Sequence, residues 1–501
     1  MTVSIYSLTI GVELVTKPEL LLFLDEPTSG LDSQTAWSIC NLLRKLANNG
    51  QAILCTIHQP SAILFQEFDR LLFLASGGRP VYFGPIGPNS STLINYFESK
   101  GSHACPPDAN PAEWILEVTG AAGLPAAHDW PEVWKTSPEK AAVEAELVEL
   151  EQTLSQLPPK PDPHGSRYLE FAVPFTTQLK LCTKRVFEQY WRTPVYIYSK
   201  TFLCVATSLF LGLSFLMSDN SLQGLQNQMF SIFMLLTLFG NLAQQLMPHF
   251  VTQRALYEAR ERPSKTYDWK AFMTANIIVE LPWQTLMSVL VFVCWYYPIG
   301  LYRNGEGTNQ VPERGGLMFL YVLAFNLWTS TFSHAIIAGI ETAETGGNVA
   351  NMLFSFCLIF CGVLASPDVF PRFWIFIYRL SPFTYIVSGM LSVGVANTRI
   401  VCSDIEILKF LPGPNATTCG EWMKDWIDTA GGYLIDPNAT GECEFCTVAE
   451  TNVFLKQLGI EYSTRWRNWG FLVVYIVFNI FAALGLYWLA RVPKVGKVKK
   501  E

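Results

Sequence analysis

The sequence predicts two fold classes in one chain: an α/β piece at the front, with a mostly parallel sheet, and behind it an all-α polytopic membrane domain of six transmembrane helices. Three observations predict this. Half of the 501 residues are apolar and 15% are charged, where soluble chains carry about 25% charged residues. Strand-length apolar runs alternate with helical spacing before residue 120, the pattern of an α/β layer. From residue 195 onward, apolar segments recur at lengths near the roughly 20 residues that cross a bilayer. The net charge of −7, with basic residues clustered in no long run outside a short tail, leaves nucleic acid outside the expected partners.

The elements follow in order. Residues 1–120 form the α/β piece: Leu20 to Leu24 reads as a strand ended by Asp25-Glu26-Pro27, and Ser33 to Asn48 as a helix stopped by Asn49-Gly50. Ala52 to Ile57, Arg70 to Ala75 and Pro80 to Phe83 read as further strands, with Gly77-Gly78 turning between the last two. Residues 121–173 read as a linker and a charged surface helix, Lys140 to Gln156, broken by the prolines of 157–163. Residues 174–194 read as an amphipathic connecting helix on the membrane surface, with Lys180, Lys184, Arg185 and Arg192 on its polar face. Residues 195–396 hold five spans, at 195–217, 228–247, 271–299, 315–340 and 348–366, then a re-entrant segment at 372–395 broken by Arg379, Ser381-Pro382 and Gly389. Residues 397–467 are a polar, cysteine-rich loop, 468–490 the sixth span, and 491–501 a basic tail.

Charge sets the orientation. Arg254, Arg260, Arg262, Lys265 and Lys270 crowd one loop, and Arg491, Lys494, Lys497, Lys499 and Lys500 crowd the tail. Positive residues collect on the cytoplasmic side. Six crossings place that loop, the tail and both termini in the cytosol, and residues 397–467 outside. There the environment is oxidising, so Cys402, Cys419, Cys443 and Cys446 are expected as two disulfides rather than a zinc site. Four cysteines permit three pairings, and the short Cys443–Cys446 ring is the least favoured. Asn415 and Asn438 head glycosylation sequons on that side, whereas Asn89 heads one on the cytosolic side and is expected bare.

The chemistry concentrates at Leu21-Leu22-Phe23-Leu24-Asp25-Glu26, a buried strand with two carboxylates at its C-terminal end, where α/β sheets bind ligands. Such a pair suits Mg²⁺ coordination on a nucleotide by Asp25, through water, and polarisation of an attacking water by Glu26. An apolar run ending in acids is weak by itself. Pro27-Thr28-Ser29-Gly30-Leu31-Asp32 follows at once, and Thr56-Ile57-His58-Gln59-Pro60 comes one helix and one strand later. This ordered set resembles the Walker B, D-loop and switch histidine of ABC ATPases. The resemblance implies that Glu26 and His58 are catalytic, that Asp25, Asp32 and Gln59 contribute to nucleotide binding, and that ATP and Mg²⁺ are the cofactors.

Further strings narrow the resemblance: Leu8-Thr9-Ile10-Gly11-Val12-Glu13-Leu14, the run Ala52 to Phe83, Asn110-Pro111-Ala112-Glu113-Trp114, Gln189-Tyr190-Trp191-Arg192-Thr193-Pro194 and Arg491-Val492-Pro493. Together they resemble the C-terminal half of the pleiotropic drug resistance subfamily of fungal ABC transporters, an ABCG-type group, from Leu8 onward. The resemblance implies an ATP-driven exporter of drugs, sterols or lipids in the plasma membrane. Its implied partners are membrane lipid, a hydrophobic small-molecule substrate and an N-terminal half. No G-x-x-x-x-G-K-[ST] phosphate loop occurs in the 501 residues, so a piece of a longer transporter is the expectation. A membrane module without ATPase activity and a half-size lipid transporter are the alternatives.

Three weaker features remain. Glu280 lies near the start of the third span, as a membrane carboxylate of functional interest or as an interfacial residue in contact with water. Tyr257, Glu258, Arg260 and Arg262 resemble a loop that couples the spans to a nucleotide domain. Phe230, Phe233, Phe239, Phe325, Trp328, Phe332, Phe354, Phe356 and Phe360 either line an apolar path or pack between helices.

Overall fold

The computed structural model describes residues 21–120, 128–157, 170–171, 173–364, 370–413 and 416–493. The chain divides into two compact units, Met1–Pro161 and Asp162–Glu501.

In the first unit, β1 (Leu21–Leu24) pairs in parallel with β2 (Ala52–Cys55), Leu21 opposite Ala52 and Leu24 opposite Cys55. Parallel strands need a crossover, and α1 (Ser33–Asn48) supplies it. Asp32 caps α1, accepting from the Thr35 amide at 3.2 Å, which satisfies one of the free donors of the first turn. Ala36, Ile39, Cys40 and Leu43 form the buried face of α1, and Leu22 joins Ile39 and Leu43 beneath the strands. The other face of the pair stays open: Phe23 is 68% exposed and Leu54 52%.

The α2 turn (Ala62–Phe65) leads to β3 (Arg70–Ala75) and β4 (Arg79–Pro85), which pair antiparallel. Among the described residues, the expected mostly parallel sheet is therefore corrected to one parallel pair and one antiparallel hairpin in separate sheets. The three residues between Ala75 and Arg79, with Gly77 and Gly78 at φ values of 83° and 75°, are too few for a crossover and can only reverse the chain. Around the hairpin gather α3 (Ser91–Ser99), α4 (Pro111–Val118), α5 (Trp130–Lys135) and α6 (Pro138–Gln156). Tyr82, Tyr96, Phe97, Trp114, Trp130 and Trp134 are its aromatic core. Along α6, Val143 is the buried residue, as a charged surface helix requires.

The second unit begins with α7 (Phe175–Arg192) and α8 (Pro194–Ser214). Then come α9 (Leu222–Leu235) and α10 (Leu238–Leu256), α11 (Trp269–Ile299) and α12 (Val311–Gly339). The bundle continues with α13 (Ala343–Ile359), α14 (Ile375–Leu380) and α15 (Pro382–Val395). The single span expected at 228–247 is longer and is tightened at Leu236–Thr237, where the Thr237 hydroxyl donates to the Met234 carbonyl at 2.7 Å and competes with the helical ladder. Among the described residues, five helices are long and apolar enough to cross a membrane: 194–214, 222–261, 269–299, 311–339 and 462–491. The expected span at 348–366 is α13, which is 17 residues long and stops at Ile359. Gly362 follows at φ 91°, a left-handed turn that a continuing helix excludes.

Residues 397–467 fold as β5 (Leu408–Phe410), α16 (Cys419–Ala430), β6 (Tyr433–Leu434), β7 (Cys443–Cys446) and α17 (Thr451–Gln457), with strand order β5-β7-β6. The last helix is α18 (Arg465–Arg491). It lies along α12, held by Trp469 Nε1 donating to the Leu320 carbonyl at 3.3 Å and Asn479 Nδ2 donating to Thr331 Oγ1 at 3.5 Å.

Candidate functional site

In the first unit the two parallel strands end in matching turns. Glu26 follows β1 at φ 48° and Gln59 follows β2 at φ 46°, a region that non-glycine residues enter at a cost and that concentrates at functional sites. Thr56 joins the two ends. Its amide donates to the Leu24 carbonyl at 3.0 Å, and its hydroxyl donates to Asp25 Oδ1 at 2.6 Å while accepting from the Glu26 amide at 2.9 Å. Asp25, Glu26, His58 and Gln59 are all exposed at this edge. Asn110 braces the second turn, donating to the Pro60 carbonyl at 2.9 Å. Asp32 serves α1 as its cap, and the Thr35 hydroxyl and amide hold its carboxyl below the usual range. Sequence reasoning named the carboxylates but missed Thr56 as the residue that fixes them.

In the second unit the expected loop is a junction of five helices. Tyr257–Glu261 forms a π-helical turn, a form that recurs at functional positions. Glu261 accepts from Arg185 of α7 at 2.6 and 3.2 Å, and Tyr267 bonds both. Glu258 accepts from Tyr487 of α18 at 3.0 Å and pairs with Arg491 at 3.6 Å. Arg262 donates to the Arg491 carbonyl at 2.7 Å, and buried Tyr257 stacks on Phe272 of α11 at 4.7 Å. Arg260 is exposed, its carbonyl accepting from Ser264. Arg254, read from the sequence as loop charge, is buried and donates to the Ile337 and Glu341 carbonyls at 2.6 Å each. It closes the C-terminal end of α12, where a cation is favoured.

One step into the bundle lies a residue set that the sequence half disclosed. Glu280 is fully buried and receives Lys200 Nζ at 2.7 Å, Tyr196 Oη at 2.6 Å, Tyr190 Oη at 2.8 Å and Gln284 Nε2 at 3.3 Å. The interfacial, water-facing reading of Glu280 is corrected: an ion pair this dry persists because its remaining oxygens are all satisfied. A lysine within an apolar segment was the signal for Lys200, since membrane charges pair with one another.

The aromatic set splits. Phe239, Trp328, Phe332 and Phe354 converge with Phe383, Phe239 on Phe354 at 5.1 Å and Trp328 on Phe332 at 4.8 Å. Phe325 reaches the same cluster through Phe383, while Phe230 and Phe356 are exposed and Phe360 packs on Phe370 and Trp374. In the loop, Cys402 pairs with Cys446 and Cys419 with Cys443, one of the three pairings left open and not the disfavoured one. Asn438 is exposed, Asn415 lies outside the described residues, and Asn89 is exposed in the first unit.

Residues 177–394 match a family model described as ABC-2 type transporter, and residues 58–128 match a second model of the same description. The chain is 66% identical over 498 residues to ABC multidrug transporter C of Aspergillus fumigatus. It is 64% identical over 496 residues to ABC multidrug transporter atrG of Aspergillus oryzae, and 63% over 497 residues to ABC multidrug transporter A-2 of Aspergillus fumigatus. These alignments cover 98% to 99% of this chain and 33% of each relative, so the chain spans about a third of the length of the relatives it matches.

Proposed function

We propose, from the match of residues 177–394 to the ABC-2 type transporter family model, that the chain is the C-terminal part of an ATP-driven exporter of hydrophobic small molecules, among them drugs, sterols or lipids, in the plasma membrane. Six crossings, with α13 as the fifth, put both termini and the Tyr257–Asp268 loop in the cytosol and residues 397–467 outside. The observation that carries the reading is that loop. It ties α7, α10, α11 and α18 through side chains of a single turn, and Arg254 adds α12. A push on Tyr257, Glu258, Arg260 or Arg262 would therefore reach most of the bundle at once, as an export cycle driven from the cytosol requires.

The turn in the first unit would supply one part of a nucleotide site, the phosphate loop being absent from the 501 residues. Two exposed carboxylates stand at the C-terminal edge of parallel strands, and Asp25 has one oxygen engaged by Thr56 and no hydrogen-bond partner on the other among the described residues. ATP with Mg²⁺ would supply the phosphoanhydride whose hydrolysis drives the cycle. Asp25 would hold the metal through water, with Asp32 and Gln59 completing the nucleotide contacts. Glu26 would orient a water and take its proton, and His58 would stabilise charge on the phosphate side. The partners are membrane lipid, a hydrophobic substrate and the rest of the transporter. In the full-length protein, Glu26→Gln should lower ATP turnover about 10²- to 10⁴-fold with nucleotide affinity nearly unchanged, measured by phosphate release and by binding of a fluorescent ATP analogue. Turnover within a factor of two of the parent would overturn the assignment.

A further inference from the structure

A groove of about 620 Å³ runs between α7 and the first half of α11. Its floor is apolar: Leu179, Val279 and Pro282. One side comes from a stripe of α7, where Thr176, Lys180, Thr183 and Lys184 recur at helical spacing and turn mainly their carbon atoms to the groove. The opposite stripe of α7, with Gln178, Cys182, Val186 and Tyr190, is buried, so the groove face is turned away from the bundle by the geometry of the helix. Lys180 has no ion-pair partner among the described residues, and Lys184 has Glu188 at 3.9 Å, both side chains largely exposed. Across α7 as a whole, four basic residues face one acid. Pro282 lacks the amide that would pair with the Ile278 carbonyl, which leaves an acceptor at the groove floor. Phe187 and Trp191 stand beside Trp283 at 6.1 and 6.4 Å, aromatic rings of the kind that settle at the headgroup level of a bilayer.

We infer that this groove is a binding site for an anionic glycerophospholipid of the leaflet that α7 faces. The acyl chain lies along Leu179, Val279 and Pro282, and the phosphate sits at the groove's edge, where the exposed Lys180 and Lys184 ammonium groups reach it from their apolar stems. An apolar trough accepts any acyl chain; the two lysines select the charge, because a basic residue near an anionic headgroup gains several-fold in affinity. A bound lipid would bridge the connecting helix and α11, close to where the Asp268 amide donates to Gln178 of α7 at 2.8 Å. The site rests on the membrane reading of α7 and α11 and is independent of whether ATP drives export.

The test uses the full-length transporter, delipidated in neutral detergent and offered equal amounts of dioleoyl phosphatidylserine and dioleoyl phosphatidylcholine, with retained lipid counted by native mass spectrometry. The parent should retain phosphatidylserine over phosphatidylcholine, and Lys180→Gln with Lys184→Gln should lower that ratio about tenfold. Lys180→Arg with Lys184→Arg should keep the ratio, which separates lost charge from lost folding. Equal retention of the two lipids by the parent, or an unchanged ratio in the glutamine variant, would overturn the site. Because the readout is lipid count, loss of export or of ATP turnover leaves the result interpretable.

Discussion

The two ends of the membrane unit are held together by different chemistry. At the end that carries Tyr257–Asp268 and Arg491, the contacts are charges: Arg185 on Glu261, Glu258 on Arg491, Arg254 on two carbonyls, and Lys200 on Glu280 just inside. At the end that carries residues 397–467, the fastening is covalent, Cys402–Cys446 and Cys419–Cys443 around a three-stranded sheet. Ion pairs can part and re-form with modest cost where water reaches them, whereas disulfides hold one arrangement. The difference leaves the water-reached pairs of the first end, such as Arg185 on Glu261, free to rearrange, and ties residues 397–467 into one arrangement.

The largest expected effect probes the innermost charge. Lys200→Met leaves the Glu280 carboxylate buried with its cation gone, and removing one partner of a buried pair costs about 3–5 kcal/mol. Thermal unfolding in detergent should show a large loss. Replacing both, Lys200→Met with Glu280→Leu, should restore most of it, since an apolar pair of similar volume is about neutral. A single variant as stable as its parent would remove the pair from the comparison.

The covalent end comes next. Cys402→Ser with Cys446→Ser should destabilise residues 397–467 by about 2–4 kcal/mol, and Cys419→Ser with Cys443→Ser by somewhat less, because it closes the shorter loop. The separations are 44 and 24 residues. Local hydrogen exchange reads each effect. Molar salt should loosen Arg185–Glu261, whose arginine is 47% exposed, and leave the cap unchanged; a reductant should do the reverse. If salt loosens the cap more than reductant does, the comparison is broken.

Much of this division was legible in the sequence, and the failures have physical causes. The strand ending at Asp25, the helix Ser33–Asn48, the connecting helix and the two-disulfide loop follow from local signals: alternation, caps and compartment. The parallel sheet was over-read, because strand-length runs carry no direction; the short Ser76–Gly78 turn did, and it required a hairpin. The length of the fifth span was over-read, because hydropathy at 348–366 ignores Gly362 and the helix stops at Ile359. The missed residues act at a distance. Lys200 meets a carboxylate 80 residues away, and Arg254 caps a helix 83 residues on. Spacing along a chain has no term for such partners: Lys200 left the trace of a charge inside an apolar segment, whereas Arg254 was masked by the basic loop beside it.

The smallest effect tests how the cap is joined to the bundle. Glu406, in the loop, accepts from the amides of Leu222 at 3.2 Å and Gln223 at 2.8 Å in the first turn of α9, and from Ser403 at 3.0 Å. Ser221 caps the same helix through Gly224 at 3.0 Å, so the two residues share the free donors of that terminus. Burial pushes the Glu406 carboxyl up, but the three amides outweigh it and hold the carboxyl below its usual value. A carboxyl lowered in the folded state adds stability that is present above its unfolded value, about 4.3, and is lost as pH falls through the lower folded value. Protection of the Leu222 and Gln223 amides, corrected for intrinsic exchange, should therefore hold at pH 6 and decline below pH ~4. Glu406→Gln keeps the shape and loses the charge, so at neutral pH it should reduce that protection by about 1 kcal/mol, roughly fivefold in exchange rate. It should also flatten the acid dependence, while both disulfides stay intact on a non-reducing peptide map. Protection that is unchanged in the variant, or an acid dependence that survives it, would mean that the cap reaches the bundle through its covalent frame alone.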